Sequence, residues 1–215
     1  ISAATVGEEG LGDLRGARAL FGESLKGRIG AFVSVDGAGM GITHVAVGSL
    51  RYKVTITGPG GHGYGAFGLA NPVHALGRAV AAIADFDVPQ DPKTTFNVGR
   101  IGGGTSINSI AAEAWMEVDL RSADGASLRS LDARLHRAVD RAVADENDRW
   151  GSRGRLTARV DLVGDRPAGR TPETADIVRS ALDTTAAVGA VASLGEGSTD
   201  ANVPIALGIP AVTIG

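Results

Sequence analysis

The sequence predicts an α/β fold into which a ferredoxin-like α+β unit of order β-α-β-β-α-β is inserted. Three observations carry this. Residues 49–166 hold four segments of strand character and two stretches of helical period, in that order. The flanking pieces, 1–48 and 167–215, mix short apolar runs of buried-strand length with short helices. Finally, 32 glycines in 215 residues, about twice the average share of ~7%, fall between the periodic segments, where sharp turns belong.

Taken in order, residues 14–21 read as a short helix and 29–35 as an apolar strand that stops at Asp36-Gly37. Leu50, Tyr52, Val54 and Ile56 alternate with polar residues, so one face of that strand is buried. Asn71-Pro72 suits an N-cap and first helical position, and Val73, Leu76, Val80 and Ile83 follow at helical spacing. Strands are expected over 96–101 and 114–121. Leu128, Leu131, Leu135, Val139, Val143 and Trp150 mark a long amphipathic helix. Leu156, Ala158, Val160 and Leu162 alternate in a last strand of the insert. The second flank reads as a helix over 174–185, a strand over 190–194, a polar loop over 195–202, a short helix over 203–207 and a strand over 211–214.

Composition excludes several classes. Hydrophobic residues make up 43% and charged residues 21%, and no apolar run approaches the ~20 residues of a membrane span. A net charge of -3 with scattered Lys and Arg gives no footprint for nucleic acid. The chain has no cysteine, so it offers neither disulfides nor a thiolate zinc site. There is no targeting pattern, residue 1 is Ile, and the cytoplasm is the default location.

Chemistry-bearing residues collect at the breaks. Glu8-Glu9 lies in a glycine-flanked turn where one carboxylate can bind a metal while the other acts as a base; a solvated acidic pair before a helix looks the same. Asp36 ends a strand, where α/β ligand sites form, and is equally an Asp-Gly turn. Among four histidines, His62 sits in a loop of small residues and can present a donor to an anion; a lone loop histidine is also a common incidental feature. His74 and His136 fall inside helices, and His44 precedes a strand with no evident partner. Arg121 offers a fork suited to a carboxylate and Asn108 adds a donor, although either residue can equally be structural. Gly58-Pro59-Gly60-Gly61-His62-Gly63 satisfies a dinucleotide pattern only formally. No helix opens behind it and Pro59 lacks an amide hydrogen.

Six motifs in one order resemble the M20 family of metallopeptidases and amidohydrolases, which includes tripeptidases, aminoacylases and acetylornithine deacetylases. They are Thr5-Val6-Gly7-Glu8-Glu9-Gly10-Leu11-Gly12, Val35-Asp36-Gly37, Gly58-Pro59-Gly60-Gly61-His62-Gly63, Gly102-Gly103-Gly104-Thr105-Ser106-Ile107-Asn108-Ser109-Ile110, Glu117-Val118-Asp119-Leu120-Arg121 and Gly197-Ser198-Thr199-Asp200-Ala201. The resemblance implies a zinc-exopeptidase-like catalytic domain in two parts, 1–48 and 167–215, and a lid that also dimerises, 49–166. It implies a homodimer acting on small peptides or N-acyl amino acids with two zinc ions, or cobalt or manganese in their place. By position Glu8 matches the general base, and Glu9 and Asp36 match zinc ligands. His62 matches the lid histidine that stabilises the oxyanion in the partner subunit's site. Asn108 and Arg121 match residues holding the substrate carboxylate, and Ser198, Thr199 and Asp200 line the substrate site. Asp at position 36 leans toward the aminopeptidase-like members.

There are departures. Gly63 stands where the family usually has Ser. The family's His-x-Asp motif and bridging Asp, upstream, and its last His, downstream, are absent from this sequence. The chain as written is therefore expected to be incomplete and not to assemble the two-zinc site alone. A non-catalytic dimerisation piece or pseudo-enzyme is the competing reading.

Overall fold

A computed structural model describes residues 1–215. The chain starts with a coiled segment and a tight loop, then α1 (Arg15–Ala19), which runs on as one wider turn over Leu20–Ser24. β1 (Phe32–Val35) and β2 (Gly41–Ala46) follow. β3 (Gly48–Thr57), β4 (Gly61–His62), α2 (Pro72–Ala84), β5 (Thr94–Gly103), β6 (Ser109–Ile110), β7 (Glu113–Ser122), α3 (Gly125–Arg149) and β8 (Thr157–Arg166) come next. β9 (Gly169–Arg170), α4 (Asp176–Ala187), β10 (Ser193–Gly197), α5 (Asn202–Ala206) and β11 (Ala211–Ile214) complete it.

β5, β7, β3 and β8 form an antiparallel sheet in that order, with α2 and α3 on one face. β3 and β5 run the same way with β7 between them, which is the split βαβ arrangement. Its core is a cluster of 18 buried residues, among them Val54, Ile56, Leu76, Ile83, Met116, Leu120, Leu131 and Leu135. These are the apolar positions of the alternating strands and of the two amphipathic helices. β1, β11, β2 and β10, with β9 also on β2, form a second, mixed sheet. Three small clusters of four, four and three residues pack it against α1, α4 and α5.

Helix ends follow their caps. Asn71 Oδ1 accepts from Val73 N at 3.0 Å, and Pro72 opens α2. Asn71→Ala is expected to cost about 1 kcal/mol, read as a lower urea midpoint at unchanged slope. Asp124 caps α3 by accepting from Ser127 N at 2.7 Å. The hydrogen bonds from Ser127 hold its carboxyl below the ordinary value of 3.8. With the folded pKa depressed, its contribution is present above that value and is lost as pH falls through the lowered one. Melting temperatures of wild type and Asp124→Asn are therefore expected to converge below pH 3.8 and to separate above it.

Four readings are corrected. The strand expected over 29–35 begins only at Phe32, and Val33 and Val35 are exposed rather than buried, because nothing packs on that edge of β1. A strand expected to follow His44 contains it: β2 starts at Gly41, and His44 is buried with Nδ1 2.8 Å from the Thr171 carbonyl oxygen. In β8, Ala158 and Leu162 are exposed, because this is an edge strand whose register slips where Tyr52 meets Leu162, leaving Val163 outside the pairing. The strand expected over 190–194 instead spans Ser193–Gly197, so part of the expected polar loop is strand.

Candidate active site

Glu8 and Glu9 sit on a loop whose shape depends on glycine. Gly7 has φ +74°, and a Cβ on Gly12 would meet the Gly7 backbone at 2.5–2.7 Å. Leu14 N donates to Gly7 O and Gly12 N to Glu9 O, both at 2.9 Å, so the loop curls back before α1 begins. Asp36 stands at the C-terminal end of β1, its amide donating to Ile214 O at 3.0 Å. Glu8, Glu9 and Asp36, with Thr5, Ser34 and Asp200, line one concavity of about 720 Å³. The structure thus brings together the three carboxylates that the sequence singled out from distant segments.

Asp200 is buried, takes a hydrogen bond from Thr5 Oγ1 on Oδ2, and leaves Oδ1 without a partner. Thr199 spends its hydroxyl on Thr213 Oγ1 at 2.6 Å, and Asn202 fastens the loop by donating to Val47 O and Pro167 O at 2.8 and 2.9 Å. Ser198 Oγ accepts from Arg166 Nη1 at 3.3 Å. Arg166 also donates from Nη1 to Glu8 Oε1 at 3.3 Å. Burial pushes the Glu8 carboxyl above its ordinary value, the Arg166 charge pulls it back, and Asp36, Glu9 and Asp200 push it up again.

His62 and Asn108 occupy a different place. They meet in the small β4–β6 ribbon, where His62 pairs with Ser109 and Gly63 N donates to Asn108 O at 2.7 Å. His62 is exposed, and its Nδ1 accepts from Gly65 N at 3.2 Å. That bond needs a lone pair on Nδ1, so a neutral ring carries its proton on Nε2, facing outward as a donor.

Arg121 lies at the opposite end of the four-stranded sheet, across from Ser49, which also pairs with Arg166. The ribbon joins beyond Thr57, eight residues along β3, or roughly 27 Å at ~3.4 Å per residue. Within one chain, then, Arg121 keeps company with the Glu8 end, while His62 and Asn108 stand at the far tip. Arg121 Nε donates to Asp119 Oδ2 at 2.6 Å.

Residues 46–147 match the family model of the peptidase dimerisation domain. This chain carries an M20 peptidase dimerisation domain. Its homologues and structural neighbours are M20 hydrolases. A succinyl-diaminopimelate desuccinylase of Nitrosospira multiformis is 32% identical over 142 residues, covering 63% of this chain and 38% of that protein. The aminopeptidase PepT of Bacillus cereus superposes with a TM-score of 0.73 at 25% identity over 98% of this chain and 54% of its own. A tripeptidase of Staphylococcus aureus gives 0.76 at 21% identity, again over 98% and 54%, which shows the shared fold. The chain thus spans little more than half the length of these relatives at most.

No three His, Cys, Asp or Glu side chains converge to hold a metal ion, and no histidine lines the concavity. Glu9 and Asp36, exposed and on one rim, fit the carboxylate share of a metal centre and not a whole zinc site, which favours nitrogen or sulfur donors. The residue that sequence reasoning passed over is Arg166. It is one of many arginines, and only its burial beside Glu8 sets it apart. No helix is long and apolar enough to cross a membrane.

Proposed function

We propose that this M20 protein hydrolyses a peptide or N-acyl amide bond in a small substrate, with aminopeptidase-like action preferred. Glu8 acts as general base, and His62 of a second copy as oxyanion donor. The observation that carries the proposal is the shared rim of Glu8, Glu9 and Asp36, with Glu8 held by the buried Arg166. Glu9 and Asp36 would hold zinc, which when bound supplies Lewis-acid polarisation and a more acidic water. Glu8 accepts the proton of the attacking water and returns it to the leaving amine. His62, through Nε2–H, donates to the oxyanion as it forms. A span of roughly 27 Å along β3 keeps His62 from its own chain's Glu8, so the donor comes from a partner in a homodimer. Arg121, at the Glu8 end, and Asn108, at the partner's tip, hold the substrate carboxylate, and the 198–200 loop lines the pocket. The relatives' names, a desuccinylase and an aminopeptidase, both denote cleavage of amide bonds in small molecules.

The test uses the full-length protein with zinc, assayed on dipeptides, tripeptides, N-acetyl and N-succinyl amino acids. Mixing Glu8→Gln with His62→Ala chains is expected to restore about a quarter of wild-type activity. Half the dimers formed are hybrids, and each hybrid has one intact site of two. Zero recovery beside dead parents would overturn sharing across subunits. Absence of turnover on every amide would favour the non-catalytic dimerisation piece instead.

A further inference from the structure

We infer that Arg166 is a positioning residue for Glu8, and that through it the root of the lid aims the catalytic base. The inference rests on the reading of Glu8 as that base. Arg166 is the last residue of β8 and is 4% exposed. Its guanidinium reaches the Glu8 carboxylate and the Glu8 backbone at once. Nη1 donates to Glu8 Oε1 at 3.3 Å and to Ser198 Oγ at 3.3 Å, while Nη2 donates to the Glu8 carbonyl oxygen and reaches toward Gly10 O at 3.5 Å. A rigid planar fork that holds both ends of one glutamate leaves its side chain little freedom to turn.

The neighbouring contacts fasten the same loop to the same place. Asp165 N donates to Asp13 Oδ1 at 2.8 Å, and Arg18 donates to the Asp165 carbonyl oxygen. Arg51, on β3, donates to Gly10 O and from Nε to Asp119 Oδ1 at 3.2 Å. Asp119 Oδ2 in turn accepts from Arg121. The loop that carries Glu8 is thus tied to the root of the four-stranded sheet through side chains of β3 and β8. A change in lid angle moves Glu8 with it, and the arginine placed for substrate binding is two ion pairs away from the same carbonyl. The lid thereby aims the base.

The experiment compares Arg166→Ala, Arg166→Lys, Glu8→Gln and the Glu8→Gln/Arg166→Ala double variant in the full-length protein. Arg166→Ala is expected to lower kcat on the order of 10²-fold with KM within about threefold, the cost of a misplaced catalytic group. Millimolar guanidinium is expected to restore part of that loss, and methylammonium none. Arg166→Lys keeps the charge without the fork and is expected to lower kcat by at least about tenfold with the melting temperature held. On the residual turnover of Glu8→Gln, adding Arg166→Ala is expected to cause no further loss, because the two act as one unit.

A merely structural arginine would instead multiply the two losses and give no guanidinium rescue, and either result overturns the inference. Should Arg166→Ala fail to fold, Arg166→Lys decides: wild-type kcat overturns the proposal and a folded, slow enzyme supports it. A dead Glu8→Gln beside fully active Arg166 variants sinks the clamp alone. Wild-type turnover in Glu8→Gln sinks the base assignment and the clamp with it.

Discussion

Glu8→Gln is expected to lower kcat by about 10³-fold while leaving KM and bound zinc within about twofold of wild type, since a positioned base contributes roughly 10²–10⁴-fold. Gln keeps the shape and still accepts from Arg166, so the loss reports the missing proton acceptor rather than a collapsed loop. The measurement is steady-state kinetics with metal analysis on the same sample, and turnover near wild type would remove Glu8 from the mechanism. The same variant tests the electrostatics in metal-free protein. Burial and the neighbouring carboxylates raise the Glu8 pKa above 4.5 in the folded state, so the folded form binds its proton more tightly than the unfolded chain. Stability from that proton is complete below 4.5 and is lost as pH rises through the raised value. The melting temperature of Glu8→Gln is therefore expected to gain on wild type as pH climbs from 4 toward neutrality. A difference that shrinks over that range contradicts the assignment.

Glu146→Ala is expected to cost about 2–4 kcal/mol. Glu146 is fully buried on α3, and it is the acceptor for several donors. Oε1 takes hydrogen bonds from Asn71 N at 3.1 Å and Trp150 Nε1 at 3.0 Å, and Oε2 takes one from Arg78 Nη1 at 2.6 Å. His74 Nδ1 lies 3.5 Å from Oε1. Removing the carboxylate strands the half-buried indole N–H of Trp150 and the half-buried amide of Asn71 just before α2 at once. Arg78 is partly exposed, so water compensates it and the cost stays below that of a wholly buried pair. Glu146→Gln keeps an acceptor and is expected to lose about 1–2 kcal/mol. Urea midpoints of the three proteins check the order. A Glu146→Ala variant within about 0.5 kcal/mol of wild type would mean that the network carries no net stability. The substitution also touches the turn that follows His62, where Trp150 packs edge-on against Phe67 at 5.3 Å.

Much was determined by the sequence alone, and always where a local pattern had a local cause. The alternation of Leu50 to Ile56 and of 114–121 produced β3 and β7, since period two leaves only one way to bury those side chains. Asn71-Pro72 started α2, and the leucine spacing from Leu128 produced α3. The motif order also groups Glu8, Glu9 and Asp36, and all three line one concavity.

Residues whose partners lie far along the chain took their places only when the fold assembled. His44 looked partnerless until Thr171, 127 residues away, supplied a carbonyl oxygen. Ala158 and Leu162 alternate as core residues should, but β8 lies at a sheet edge with a slipped register, and alternation carries no information on which strand becomes an edge. Asn108 and Arg121 read as one pair and stand at opposite ends of β3, because strand length, not sequence order, sets their separation. Arg166 had no signature at all. Its burial against Glu8, 158 residues earlier, comes from where the edge strand β8 of the four-stranded sheet returns to the first loop of the chain, and that distance is set by the assembled sheets.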